Sequence, residues 1–121
     1  MGGVKNYQDL IVWQKAMDLV VEVYRLTRKF PKEEFYGLTN QMRRAAVSIP
    51  SNIAEGHTRN SSREYLNFLS IAQGSRAEVE TQMLIAMRLG YLASEETVLC
   101  LSLLNEINRM ISTIKQKLCS S

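Results

Sequence analysis

Histidine, tryptophan, cysteine and proline are scarce in this 121-residue chain, at one, one, two and two residues, and its six glycines are scattered. Each scarcity removes a class of chemistry. His57 with Cys100 and Cys119 offers no metal-ligand cluster at workable spacing. If both thiols lie on one helix they stand about 28 Å apart, beyond the reach of a disulfide. Two reduced thiols suit a reducing compartment, so a cytoplasmic protein is expected. A serine triad would have to be built on His57 without an elbow motif. Gly74 and Gly90 are isolated, so no glycine-rich phosphate loop is present. The expectation is therefore no catalytic residue, no metal and no cofactor. No apolar run approaches the roughly 18–20 residues of a membrane helix. The opening Met1-Gly2-Gly3-Val4-Lys5-Asn6 also lacks the apolar stretch of a signal peptide, so no membrane partner is expected.

What is present is helical rhythm. With 45% hydrophobic and 22% charged residues the composition is that of a folded soluble protein, and the length suits one domain over residues 1–121. No segment alternates as a strand would, and there are no repeats. A first helix is expected over about residues 10–30, with Trp13, Ala16, Met17, Val20, Val23, Tyr24 and Phe30 as its stripe and Pro31 as its end. A second covers about 35–57, with Leu38, Met42, Ala45, Ile49 and Ile53 in phase. That phase passes straight through Pro50, which predicts one bent helix and no loop. Gly56 suits a left-handed cap near its end. A third helix, about 62–89, opens with the capping box Ser61-Ser62-Arg63-Glu64 and ends at Gly90. Gly74-Ser75 in its middle is expected to let another backbone approach. A fourth, about 95–118, opens with Ser94 as cap and carries Val98, Leu101, Leu104, Ile111, Ile114 and Leu118. Short connections imply antiparallel neighbours. The predicted fold is all-α, an antiparallel up-down-up-down four-helix bundle with a proline-kinked second helix.

Three patterns exceed what a lone bundle requires. Met83-Leu-Ile-Ala-Met87 and Val98-Leu-Cys-Leu101 are apolar nearly all round, which predicts a homo-oligomer. The chain carries net charge +3, and residues 38–63 hold Arg43, Arg44, Arg59 and Arg63 against Glu55 alone. The planar fork of arginine suits phosphate, so these four are candidate RNA or DNA contacts, with Lys32 and Tyr36 as neighbours. A solvated basic face is the commoner explanation of such a cluster. Finally, Gln41, Arg44, Ser48, Asn52 and Glu55 recur every three or four residues, as do Ser75, Glu78 and Gln82. Arg44 facing Glu78 would fix the register of two helices, or the stripe would form a polar groove for a partner. Both readings stand on the sequence.

The runs "LTNQMRRAAVSIPSNIAEG" and "SSREYLNFLSIAQGSRAEVETQ", with "LIVWQKAMDLVVEVYRLTRKFP" and "LGYLASEE", carry a family resemblance. Over about residues 8–118 the chain resembles the four-helix bundle proteins encoded in intervening sequences of 23S ribosomal RNA genes. Gln41, Arg44, Ser48, Pro50, Asn52, Glu55, Gly56, Gly74, Ser75 and Glu78 match the signature. The resemblance implies a homopentamer. It also implies a relation to accessory proteins of diversity-generating retroelements, which bind nucleic acid and a reverse transcriptase. It implies no settled biochemical activity. The expected function is a non-enzymatic nucleic-acid-binding accessory protein, and the alternative is a scaffold that recruits a protein partner.

Overall fold

The three- and four-residue apolar spacing becomes four helices in a computed structural model, which describes residues 6–120. These are α1 (Ile11–Thr27), α2 (Leu38–His57), α3 (Ser62–Arg88) and α4 (Val98–Ser120). Short 3-10 turns at Tyr7–Asp9, Lys32–Glu34 and Ser94–Thr97 precede α1, α2 and α4. No strand occurs among the described residues, and the fold is a four-helix bundle. Residues 1–5, which carry most of the expectation of no signal peptide, lie outside the described residues.

Local chemistry moves several expected ends. α1 stops at Thr27, three residues early, because Pro31 disfavours helix at Phe30. The Lys29 and Phe30 N–H groups bond three residues back, to the Leu26 and Thr27 carbonyls. α2 starts at Leu38, where the free Leu38 N–H is met by Glu34 Oε1 at 3.1 Å. The box at α3 is half realised: Ser61 Oγ accepts from the Glu64 N–H at 3.1 Å, and its hydroxyl meets the Glu64 carboxylate at 3.2 Å. α3 ends in a Schellman arrangement around Gly90, whose φ of 80° favours glycine. The Tyr91 and Gly90 N–H groups donate to Ala86 and Met87. Before α4 the cap is Glu96, not Ser94: its carboxylate accepts from the Ala93 N–H at 2.8 Å.

The core is continuous. Val12, Ala16, Leu19, Val23 and Leu26 of α1 pack with Met42, Ala46, Ile49 and Ile53 of α2. Leu69, Ala72, Val79, Met83 and Ala86 of α3 join Cys100, Leu104, Ile107 and Ile111 of α4. The α1 stripe is therefore turned from the expected one. Met17 and Tyr24 are exposed, and Trp13 and Val20 only edge the core. Two apolar stripes lie side by side on α1, and spacing does not rank them. Val98, also expected inside, is exposed.

α2 is continuous through Pro50, which is buried. Proline supplies no N–H to the ladder. The short polar side chains around it bond to neighbouring carbonyls: Ser51 Oγ donates to Val47 O, and Asn52 Nδ2 donates to Ser48 O, each at 2.8 Å. Gly56 corrects an expectation. It sits inside α2 without positive φ and marks a close approach of α3. A Cβ there would lie 2.7 Å from Phe68 Cβ. Gly74, expected to admit a backbone, has nothing within 4 Å of such an atom. The small residue facing α2 at that level is Ser75, whose Oγ lies 2.9 Å from Ser48 Oγ.

Partner positions fall on one helix as they rise on the next. Ser48–Ser75 and Gly56–Phe68 link α2 with α3. Gln73–Asn108 and Ser70–Lys115 link α3 with α4. Lys15–Glu106 and Lys29–Glu96 link α1 with α4. The register brings the α1–α2 and α3–α4 connections to the same end. There Tyr91 donates to Glu34 Oε2 at 2.8 Å and tilts against Phe30 at 5.4 Å between ring centroids.

Candidate functional site

The α1–α2 connection builds a groove. The turn Lys32–Glu34 cannot bury the aromatic pair that follows it, so Phe35 is 55% and Tyr36 88% exposed. Their rings meet edge to face at 4.9 Å. One turn into α2, Arg43 reaches back to α1: its Nε donates to Thr27 Oγ1 at 2.8 Å, and its guanidinium lies 4.5 Å from the Tyr24 ring centroid. Arg44, the next residue around the helix, is exposed.

Two adjoining hollows, of about 650 and 440 Å³, share Phe35, Tyr36, Thr39 and Arg43. Arg44, Tyr24 and Val47 also line the first, while Arg28 and Lys32 also line the second. Among the described residues the combined lining holds four cations and no carboxylate. None of the four enters an ion pair among the described residues, whereas Lys15, Arg25, Lys29, Arg59 and Arg76 all do. A positive, aromatic-walled concavity favours an anion with flat apolar parts.

The expected arginines thus separate. Arg43 and Arg44 belong to this groove. Arg59 and Arg63 stand at the opposite end of α2, roughly 20 Å away at 1.5 Å per residue. Arg59 is engaged with Glu55 at 2.7 Å and lies over the Phe68 ring at 4.8 Å. Lys32 and Tyr36, which the sequence suggested as neighbours, do line the groove. Arg28 and Tyr24 were missed. Tyr24, counted in the core stripe by its spacing, lies on α1, and Arg28, four residues on, is the C-cap of that helix.

The polar repeats meet in a second, smaller notch of about 340 Å³, lined by Gln41, Arg44, Ser48, Ser75 and Glu78 among others. Ser48, Ser75 and Asn52 are hydrogen-bonded to one another in sequence, with Asn52 Nδ2 to Ser48 Oγ at 2.9 Å. Arg44 and Glu78 border the notch but form no ion pair within 4.0 Å among the described residues. Glu55 is exposed, and Pro50 and Gly56 are buried. Gln82 is buried with Oε1 unbonded among the described residues. His57 stands against Tyr65, ring centroids 5.7 Å apart, at the far end of α2. No group of three or more His, Cys, Asp or Glu side chains that could hold a metal occurs among the described residues. No described helix is long and apolar enough to cross a membrane.

The sequence model of the 23S rRNA-intervening sequence proteins matches residues 8–113. The chain belongs to that family. A crystal structure is similar: a protein of unknown function from the S23 ribosomal protein family of Bacteroides thetaiotaomicron VPI-5482. It superposes with a TM-score of 0.79 at 24% identity, covering 88% of this chain and 96% of that one. At that identity the likeness establishes a shared fold. No curated protein matches the chain. In this chain α2, the helix that carries Pro50, supplies Arg43 and Arg44 to the groove and Ser48 to the contact with Ser75.

Proposed function

We propose that this protein is a non-enzymatic nucleic-acid-binding accessory protein whose contact surface is the α1–α2 groove. The observation that carries the reading is the lining itself: Arg28, Lys32, Arg43 and Arg44 beside exposed aromatic rings, with no acid among the described lining residues. Unpaired cations release counterions when they meet phosphates, and this supplies sequence-independent affinity. Arg43 is preorganised by Thr27 and Tyr24, so it loses little freedom on binding. A chain of net charge +3 binds weakly by itself. Homo-oligomerisation repeats the groove and converts weak contacts into avidity. The exposed Leu84, Leu89, Val98 and Leu99 near the α3–α4 turn support self-association. A pentamer, and a reverse transcriptase as further partner, are what the family resemblance implies.

The test is binding of fluorescent RNA and DNA near physiological salt. Lys32→Ala/Arg44→Ala should weaken binding at least tenfold, while Arg59→Ala/Arg63→Ala should change it little. Equal losses would place the contact elsewhere. The same apolar end favours a second reading, a scaffold for a protein partner. That reading gains if no nucleic acid binds and light scattering shows a monomer whose Leu89/Val98 face captures another chain.

A further inference from the structure

We infer that the groove takes single-stranded nucleic acid, RNA or DNA, with a base stacked on Tyr36. This rests on the nucleic-acid reading of the same groove and narrows its ligand. Tyr36 is the most exposed large apolar side chain described, at 88%, and the edge of its contact with Phe35 holds it at the groove mouth. A ring left in water with cations beside it offers a stacking platform. Duplex bases keep their faces inside the helical stack, so only an unpaired strand can use such a platform. Size agrees. A hollow of about 650 Å³ is in the class that encloses a drug-sized molecule, room for a nucleotide or two and too small for a duplex. The cations fit the same occupant. Arg28 and Lys32 sit on the α1 side of Tyr36 and Arg44 on the α2 side, so a strand laid over the ring meets positive charge before and after it.

The experiment measures anisotropy with a fluorescein-labelled 12-nucleotide oligouridylate, the matching oligothymidylate, and a hairpin duplex of equal phosphate count. Tyr36→Ala, Tyr36→Phe and Arg44→Ala are compared with the unaltered chain. Tyr36 is too exposed for its truncation to threaten folding. Stacking predicts single strands bound at least tenfold more tightly than the duplex. It predicts a loss of roughly 5- to 150-fold in Tyr36→Ala, with Tyr36→Phe near the unaltered value. Duplex binding equal to single-strand binding overturns the inference, as does an unchanged Tyr36→Ala. If Arg44→Ala still weakens binding in those cases, the nucleic-acid reading survives while the stacking does not. Absence of binding by every probe at low salt overturns both.

Discussion

Two glycines, replaced by the same residue, should change stability in opposite directions. At Gly74 a methyl group meets nothing within 4 Å. The substitution Gly74→Ala therefore gives only the gain in helix propensity, about 0.5–1 kcal/mol. At Gly56 the methyl would stand 2.7 Å from Phe68 Cβ and 3.0 Å from Tyr65 Cδ1. Carbon atoms pack best at about 3.5–4.0 Å, so the overlap with Phe68 is close to 1 Å. The tyrosine ring can swing aside, but a Cβ is fixed by its backbone, so α3 itself must shift. Overpacking of this kind costs about 1–3 kcal/mol, partly offset by the same propensity gain. Gly56→Ala should lose about 1–2 kcal/mol net. Thermal unfolding at one protomer concentration reads the difference, roughly 10 °C between the two variants. A Gly56→Ala protein as stable as the unaltered chain would refute the close approach of α2 and α3. A destabilised Gly74→Ala would show that its open side is covered, as a second copy would cover it.

Other outcomes follow from single contacts. Glu34 is held below the usual 4.5 chiefly by the Leu38 N–H and next by the Tyr91 hydroxyl. Glu96 is lowered chiefly by Lys29 and next by the Ala93 N–H. Both carboxylates thus add stability above pH 4.5, lost as pH falls from there through their folded values. Melting temperature against pH should decline on that acid side, less steeply in Tyr91→Phe; identical slopes would remove the Glu34–Tyr91 bond from the explanation. Burial pushes the Cys100 thiol up to about 12, while Cys119 is exposed. A thiol reagent at pH 8 should therefore label one site per native chain and two after unfolding; two fast native sites would contradict the burial. An imino acid in mid-helix bends the axis, so Pro50→Ala should keep α2 helical and straighten it. An unchanged axis in a crystal structure of that variant would exclude Pro50 as the cause of any bend.

The bundle is legible in the sequence because apolar residues at three- and four-residue spacing have one economical solution. Pro31, the Ser61–Glu64 cap and Gly90 mark ends by local chemistry that needs no partner helix. Other features depend on partners. Gly56 and Gly74 are alike in sequence, and only the position of Phe68 separates them. α1 carries two neighbouring apolar stripes, and the choice of Val12, Leu19 and Leu26 for the core is made by α2 and α4. The same choice turns Tyr24 outward into the groove. Arg59 resembles Arg43 in the sequence, yet Glu55 one turn earlier neutralises it. The i, i+4 spacing of Glu55 and Arg59 was a readable sign of that pairing. The consecutive Phe35-Tyr36 pair beside Lys32 was a readable sign of the groove, since a short turn cannot bury both rings.

The salt dependence of binding tests the groove most directly. With single-stranded RNA, the logarithm of the binding constant should fall linearly against the logarithm of salt concentration. Each cation that meets a phosphate contributes a slope of about −0.7, so four give nearly −3 per groove. Lys32→Ala/Arg44→Ala should make the slope shallower by about 1.4. A flat line for the unaltered protein, or an unaltered slope in the double variant, would contradict the groove as the binding surface.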